Sequence, residues 1–239
     1  MTDSLFPKLC RYCGDPFSSG LSNVLCRSCF ELHPHYKEPV CDHCGFSLPD
    51  RGFEDVPRKR CFDCGDGEFE LDHVKSYGSY EGSLRIAHHA FKFEGLEFFK
   101  KEIVLKMLKT IPDEFWTGVD CLCPVPMSSD REREKGYNPS YLLAEEISKR
   151  KSIPLKKLLY KARVTKPQVS LSKKDRLENP RGSYGFMANQ GKDGSGPRKV
   201  LLVDDVFTTG ATLEECARVL KEKGICWVGA LVFGRTPHH

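Results

Sequence analysis

VLLVDDVFTTGAT, residues 200–212, begins with four apolar residues and continues with two adjacent aspartates, two threonines and a glycine. The apolar run 200–203 is typical of a strand that is buried on both faces of a parallel sheet. A helical pattern follows over 213–220 and ends at Gly224, and a second apolar strand covers 227–232. This order is a βαβ unit, and it predicts an α/β fold with a parallel sheet and flanking helices.

The spacing of apolar residues predicts further elements before this unit. Apolar side chains recur every three or four positions over 96–111, which predicts a helix, and a second helix is indicated at 143–147. A third strand is predicted at 121–125. The stretch 161–198 is rich in Lys, Arg, Ser, Gly and Pro, and it is interpreted as a long loop or hairpin. We therefore expect residues 71–239 to form the α/β domain.

Eight of the 12 cysteines form Cys-x-x-Cys pairs near the start of the chain. In a reducing compartment such pairs indicate metal sites, because disulfides would not persist there. Residues 1–70 have no sustained helical or strand periodicity, so metal coordination would have to replace apolar burial. We therefore predict a double zinc ribbon over 1–70, with structural Zn²⁺ held by Cys10, Cys13, Cys26, Cys29, Cys41, Cys44, Cys61 and Cys64.

The spacing between these pairs suits two tetrahedral sites. Twelve residues separate Cys13 from Cys26 and sixteen separate Cys44 from Cys61, and both intervals are typical of zinc ribbons. Eight thiolates fill two tetrahedra and leave no position for a catalytic water. Sequential pairing is the simplest arrangement, while an interleaved cross-brace stays open. The remaining cysteines are expected in the core, namely Cys121, Cys123, Cys216 and Cys226.

Composition and charge exclude several classes of protein. With 39% hydrophobic and 29% charged residues, the chain is neither disordered nor embedded in a membrane. No apolar run approaches the roughly 18 residues of a spanning helix, and no targeting segment is recognised, so we expect a cytoplasmic protein without membrane insertion. Four thiolates and one Zn²⁺ leave a charge of −2 per site, so two sites reduce the formal net charge of +4 to zero. Net charge therefore favours no particular partner.

The acidic pair and the loop after it predict a ligand site. Asp204 and Asp205 lie at the carboxyl end of a buried strand, where open α/β sheets bind ligands. Small hydroxylated residues then lead into a helix N-terminus, whose N–H groups and dipole favour a phosphate. Carboxylates beside a phosphate cradle predict a sugar phosphate site. A Walker ATPase is disfavoured because no G-x-x-x-x-G-K-[ST] motif is present, and acids that merely cap the helix are the remaining alternative.

The segment 200–212 resembles the phosphoribosyl pyrophosphate (PRPP) signature of type I phosphoribosyltransferases. In that family the acidic pair binds the ribose 2- and 3-hydroxyls and the loop binds the 5-phosphate. The resemblance therefore assigns PRPP binding to Asp204, Asp205, Thr208, Thr209, Gly210, Ala211 and Thr212. With the cysteine-rich N-terminus it narrows to the ComF/GntX family, competence-associated proteins with a double zinc ribbon joined to a phosphoribosyltransferase-like domain. Further matches are Pro124-Val125-Pro126 and the segments 131–138 and 166–186.

The resemblance also implies how a pyrophosphate would be neutralised. A PRPP site needs Mg²⁺ and cationic or backbone donors opposite the 5-phosphate loop. Two groups of cations could supply the charge, one after the predicted strand at 121–125 and one in the long loop, which would act as a lid. The corresponding residues are Arg131, Arg133, Lys166 and Arg176.

The partners implied by the resemblance are PRPP or a nucleotide, incoming single-stranded DNA, and a DNA translocase of the competence machinery. Single-strand binding combines a basic groove with aromatic platforms. Aromatic residues among the ribbon's basic residues could serve as platforms or belong to the core, and they are Tyr12, Phe17, Phe30 and Phe46. Turnover stays open, because no residue is recognised as a general base. The alternative is an active phosphoribosyltransferase, for nucleotide salvage or an amine acceptor, with a purely structural ribbon.

Overall fold

The structure is a computed structural model of the chain. It describes residues 8–17, 24–31, 36, 39–49, 59–62, 64–65, 67–94, 99–162, 180–187 and 196–237. The strands among these residues are β1 (Lys8–Leu9), β2 (Pro16–Phe17), β3 (His73–Ser79), β4 (Cys121–Pro124), β5 (Leu159–Lys161), β6 (Tyr184–Phe186), β7 (Lys199–Phe207) and β8 (Trp227–Arg235). The α-helices are α1 (Arg27–Glu31), α2 (Gly82–Phe93), α3 (Phe99–Thr110), α4 (Ser129–Lys135), α5 (Pro139–Lys151) and α6 (Ala211–Lys221), and a 3-10 helix covers Asp113–Trp116.

The central sheet has four parallel strands in the order β3-β8-β7-β4. The predicted βαβ unit is confirmed as β7, α6 and β8, and the α/β class is confirmed with it. One detail differs from the sequence expectation. The strand β7 continues past the acidic pair, because Val206 and Phe207 still pair with Gly234 and Arg235 of β8. The two aspartates therefore lie inside the strand, just before its end.

Successive side chains of β7 point to opposite faces of the sheet, and the core accordingly has two halves, one on each face. Leu201 and Val203 pack on the face that α2, α3 and α5 cover, together with Cys10 and Cys29. Val200 and Leu202 pack on the opposite face with α6, and this half of the core includes the second set of paired cysteines. The two cysteine groups thus share the apolar cores of opposite faces. The division into units at residue 70 stays a prediction.

The N-terminal region also covers one edge of the sheet. The edge strand β3 receives a backbone hydrogen bond from Tyr36 N to Tyr77 O at 3.0 Å, and Val74 N donates to Asp42 O at 3.4 Å. Gly45 lies so close to this strand that a Cβ there would be 2.9 Å from Val74 O. Its φ of +67° adds a second reason for glycine at this position.

The remaining predicted elements are confirmed within the described residues. The helix expected over 96–111 is α3, and the helix expected at 143–147 is part of α5. The interpretation of 161–198 as a loop or hairpin has support at its base, where β5 and β6 pair antiparallel from Leu159↔Phe186 to Lys161↔Tyr184. In the part of the chain that the structure describes, no helix is long and apolar enough to cross a bilayer.

The expectation for the unpaired cysteines is wrong at one position. Cys121, Cys123 and Cys216 are buried, as predicted, whereas Cys226 is exposed. Cys226 lies in the turn after Gly224, directly before β8 begins, so its side chain is not part of the sheet. Its Sγ faces the Arg198 guanidinium at 3.6 Å.

Substitution of two leucines, one buried in the sheet and one exposed on a helix, tests the packing of the sheet. Leu202 in β7 is fully buried, so we expect Leu202→Ala to lower the free energy of unfolding by about 2–5 kcal/mol through lost burial and a cavity. The matched control Leu105→Ala, on the outer side of α3 with 37% of the residue exposed, should cost less than about 1 kcal/mol. Urea denaturation measures both values. Equal losses in the two variants would contradict the assignment of Leu202 to the core.

Candidate functional site

The first acid, Asp204, is held by the N-terminus of α5. Ser140 Oγ donates to Asp204 Oδ1 at 2.6 Å, and the backbone N of Asp205 donates to the same oxygen at 2.9 Å. Asn138 caps α5 by accepting from Ser140 N at 3.0 Å, and its amide nitrogen donates to Val125 O at 3.0 Å. Asn138, the last residue of the segment 131–138 noted in the sequence, therefore positions Ser140 at the acidic pair.

The second acid, Asp205, is held by α2. His88 Nε2 lies 3.1 Å from Asp205 Oδ2, and Lys92 Nζ donates to the same oxygen. Tyr80 OH lies 2.8 Å from His88 Nδ1 and extends the network. Residues four apart on a helix share one face, which explains how one turn of α2 delivers both groups. Tyr137 OH fixes the end of that helix by donating to the carbonyl oxygens of residues 91 and 92 at 2.8 and 3.2 Å.

The two acids have opposite electrostatic environments. Burial and the charge of Asp205 raise the pKa of Asp204 from 3.8 to about 7. Burial also disfavours ionisation of Asp205, but the Lys92 ammonium and the His88 hydrogen bond prevail and hold its pKa well below the usual range. As pH falls through about 7, the pair therefore takes up its first proton at Asp204, and Asp205 keeps the negative charge.

The predicted phosphate loop connects β7 to α6. Gly210 is the N-cap of α6 with a φ of +80°, and a Cβ there would collide with the Phe207 ring. Thr236 fixes the loop from the end of β8, since its N donates to Phe207 O at 3.0 Å and its Oγ1 donates to Thr208 O at 3.3 Å. The first turn of a helix leaves N–H groups without intrahelical acceptors. The loop and the acids thus belong to one continuous strand, loop and helix.

The cations differ in how close their charges come to the acids. Burial and the charge of Lys92 lower the pKa of Lys135 to about 8. Burial and the charge of Arg131 lower the pKa of Lys161, while the charge of Asp204 opposes that shift. Arg133 instead pairs with Asp130 at 3.1 Å on the exposed side of α4. The assignment of Arg131 and Arg133 to the site stays a prediction.

Two of the predicted lid residues, Lys166 and Arg176, lie outside the described residues. The sequence pattern does not mark His88, Lys92, Ser140 or Lys161 as site residues. The spacing of His88 and Lys92 was a usable signal, but no helix was predicted there, and only the fold shows that α2 lies beside the acidic pair.

A cleft of about 230 Å³ lies between the end of β4, the start of α5 and β5. Its walls include Lys161 and Asn138. Asn138 accepts a hydrogen bond from the backbone N of Ser140, the serine that donates to Asp204. Lys157 Nζ lies 4.5 Å from the centre of the Tyr141 ring on the same wall. The full lining is Pro124, Pro126, Met127, Ser129, Glu132, Asn138, Tyr141, Lys157, Leu159, Tyr160 and Lys161. Aromatic and cationic side chains thus adjoin the acidic site.

The paired cysteines form two clusters in sequential order. The first cluster is Cys10, Cys13, Cys26 and Cys29, and the second is Cys41, Cys44, Cys61 and Cys64. In each, all four sulfur atoms lie within 4.8 Å of one another, with Cys13 and Cys26 Sγ at 3.9 Å and Cys44 and Cys61 Sγ at 3.5 Å. Zn–S bonds of about 2.3 Å place tetrahedral sulfurs about 3.8 Å apart. Each cluster therefore fits one Zn²⁺, and the sequential pairing is the observed one.

The second cluster contacts both segments that flank the phosphate loop. The buried Arg235, at the end of β8, donates from Nη2 to Cys44 Sγ at 3.1 Å. Its guanidinium carbon lies 5.3 Å from the centre of the Phe207 ring. On the other side, His43 Nε2 lies 3.4 Å from Glu214 Oε1 in the first turn of α6. The geometry of this cluster is thereby tied to the loop.

Two known families match this chain, one in its N-terminal part and one in its C-terminal part. The double zinc ribbon domain family matches residues 1–65, and the phosphoribosyl transferase domain family matches residues 138–239. Competence protein F of Haemophilus influenzae is 29% identical over 208 residues, which cover 85% of this chain and 86% of that protein. Competence protein ComFC of Bacillus subtilis is 29% identical over 235 residues, 90% of both chains. DNA utilization protein YhgH of Escherichia coli O157:H7 is 25% identical over 236 residues, 96% of this chain and 98% of that protein.

The raised pKa of Asp204 predicts a pH-dependent stability. The folded chain binds a proton at Asp204 that the unfolded chain releases near its ordinary pKa of 3.8, so this site loses stability as pH rises from about 4 to about 7. Asp204→Asn keeps the oxygen that accepts from Ser140 and removes the charge. We expect it to raise Tm at pH 8 by about 3 °C or more, and to change Tm much less at pH 5.

Thermal denaturation of both proteins at both pH values measures this effect. Asp205→Asn is the control, since it leaves Lys92 without a charged partner and should lower Tm at pH 8. An equal change at pH 5 and pH 8 for Asp204→Asn would contradict a pKa of about 7 for Asp204.

The contact between Arg235 and Cys44 predicts the lability of one zinc ion. Groups that hydrogen-bond metal ligands typically contribute 10- to 100-fold to metal affinity. Arg235→Gln should therefore release one of the two ions to a colorimetric chelator about tenfold faster than the unsubstituted chain. Arg198→Gln is the matched control, because this arginine contacts Cys226, which belongs to neither cluster. Release of both ions at the original rate would contradict the role of the contact.

Proposed function

We propose that this chain, with its double zinc ribbon domain and its phosphoribosyl transferase domain, is a member of the ComF family. We infer that it binds PRPP or a nucleotide in the cytoplasm and takes part in natural competence by handling incoming single-stranded DNA. The observation that carries the proposal is the acidic pair of β7, followed directly by the loop and N-terminus of α6. Relatives named competence proteins and DNA utilization proteins, aligned over most of both chains, support the cellular role.

Each part of a phosphoribosyl ligand has a matching group in this site. Asp204 and Asp205 would hold the ribose hydroxyls, with the proton on Asp204 available as a hydrogen-bond donor. The loop from Thr208 to Thr212 would hold the 5-phosphate through backbone N–H groups. The charge of Lys135 interacts with Asp205 and that of Lys161 with Asp204, and Arg131 would add a third cation for an anionic pyrophosphate.

The described residues do not fit a Mg²⁺ ion held by the protein. Asp205 Oδ2 is already bonded to Lys92 and His88. The clusters of three or more possible ligands among the described residues are the two cysteine clusters alone. Mg²⁺ that arrives on the oxygens of PRPP stays a prediction, and no step of the proposed binding depends on it.

Two features support contact with single-stranded DNA. Tyr141 and Tyr160 line the cleft together with Lys157 and Lys161, and aromatic rings with cations are the usual elements of a strand-binding groove. In the ribbon, Tyr12 is 57% exposed and could stack on a base, whereas Phe30 is fully buried and belongs to the core. A DNA translocase of the competence machinery would be the protein partner.

An active phosphoribosyltransferase is the second candidate function, favoured by the cations beside the acids. A nitrogen nucleophile would then displace pyrophosphate at the anomeric carbon, forming the C–N bond as the C–O bond breaks. The zinc ribbon would have a structural role only. Release of pyrophosphate with purine, pyrimidine or amine acceptors distinguishes this reaction from binding alone.

The experiment is a titration of the zinc-loaded chain with PRPP and Mg²⁺, and separately with oligothymidylate at low and high salt. The variant Asp204→Asn/Asp205→Asn should bind PRPP at least about tenfold more weakly, because two hydroxyl-binding carboxylates are lost. Its DNA binding should persist and should fall with salt in the usual way.

The matched control is Asp113→Asn/Glu114→Gln, an adjacent acidic pair on the exposed 3-10 helix. It should bind both ligands like the unsubstituted chain. Unchanged PRPP affinity in the Asp204→Asn/Asp205→Asn variant would overturn the assignment of the site. Absence of DNA binding at low salt would overturn the proposed role in DNA handling.

A further inference from the structure

The carboxylate of Asp205 already has a cation bound to it. Lys92 Nζ and His88 Nε2 both contact the same oxygen, Oδ2, although Asp205 is only 7% exposed. The Lys92 side chain keeps 29% of its surface exposed. The ammonium group is therefore bonded to the acid, while part of the side chain that carries it is accessible from solvent.

This arrangement is built by several contacts. Tyr137 OH donates to the carbonyl oxygens of Phe91 and Lys92 and so fixes the backbone that carries the lysine. His88 is held between Tyr80 and Asp205. The short distance from α2 to β7 is fixed by the core, in which Ala87 and Phe91 are fully buried. These contacts place the lysine at the acid.

We propose that Lys92 is the resident cation of this site, and that it supplies at Asp205 the positive charge that a divalent ion would otherwise bring to a phosphorylated ribose. This inference rests on the proposed function. Its consequence is that a ribose 5-phosphate group binds here without a divalent cation. Lys92 is then a binding residue that bridges Asp205 and the hydroxyl oxygens of the ligand's ribose.

The surrounding charges agree with this role. The groups whose charges act on Lys92 include Asp204 and Asp205, and Lys92 in turn repels Lys135. A divalent cation that approached Asp205 would meet two ammonium groups, whereas a phosphate would be attracted by both. His88 has a lowered pKa because burial outweighs the pull of Asp205, so it is neutral at pH 7 and positions the acid by a hydrogen bond.

Ribose 5-phosphate is the suitable probe, because it has the sugar and the phosphate but no pyrophosphate to chelate metal. Calorimetric titration of the zinc-loaded chain, with zinc content checked afterwards, should give dissociation constants that agree within about twofold in EDTA and in Mg²⁺. Lys92→Gln should weaken binding in EDTA by about tenfold or more, and Mg²⁺ should restore part of the affinity through the vacated carboxylate.

Two matched variants isolate the charge. Lys92→Arg keeps a cation and should keep binding in EDTA, while Lys101→Gln removes an exposed lysine of α3 and should change nothing. Electron paramagnetic resonance with Mn²⁺ alone gives a readout without sugar. The unsubstituted chain should show no tight Mn²⁺ site at the acids, and Lys92→Gln should gain one, provided that its thermal transition shows a folded chain.

The possible outcomes distinguish this inference from the proposed function on which it rests. Ribose 5-phosphate binding by the unsubstituted chain in Mg²⁺ but not in EDTA would overturn the role of Lys92 and leave the sugar phosphate site intact. Equal binding by Lys92→Gln and the unsubstituted chain in EDTA would do the same. Failure of the unsubstituted chain to bind ribose 5-phosphate or PRPP in either buffer would overturn both proposals. If Lys92→Gln is unfolded, the comparison of EDTA with Mg²⁺ and the Mn²⁺ spectrum of the unsubstituted chain still decide the question.

Discussion

The hydrogen bonds and ion pair at Asp205 are the interactions on which the rest of the site depends. Two adjacent carboxylates inside a buried strand would repel each other and lose hydration, which costs several kcal/mol unless each finds a partner. The chain meets this cost asymmetrically. Asp205 stays ionised because it is bonded to Lys92 and His88. Asp204 accepts a hydrogen bond from Ser140, and its pKa is raised to about 7. Two helices, α2 and α5, are thereby fixed to one strand that follows both of them in the sequence.

The cysteine clusters contribute to the same assembly rather than standing apart from it. The first shares a core with α2 and α3, and Ser83 Oγ of α2 donates to Cys29 O at 2.8 Å. The second shares the core of α6 and reaches the loop through Arg235 and Glu214. Metal coordination at the beginning of the chain thus supports both elements that carry the site, the helix with the lysine and the helix with the phosphate loop.

Much of the fold could be predicted because apolar periodicity reports burial directly. The runs at 200–203 and 227–232 have one plausible environment, and the cysteine spacing has few alternatives. The acidic pair could be recognised as a candidate site because two adjacent charged residues rarely follow a buried apolar run unless they bind a ligand or another group of the protein. His88 and Lys92 were not found, because a histidine and a lysine on a helix are ordinary until the fold brings that helix to Asp205. Cys226 was misplaced because one residue separates a turn from a strand.

The coverage of β3 by Tyr36 and by the segment around Gly45 has a consequence for the metal-free chain. An exposed parallel strand offers a row of unsatisfied backbone groups to any neighbouring molecule. The ribbon occupies that position only while its own geometry is maintained, and thiolate coordination maintains it. We therefore expect chelation to uncover a template for intermolecular strand pairing, in addition to unfolding the first residues of the chain.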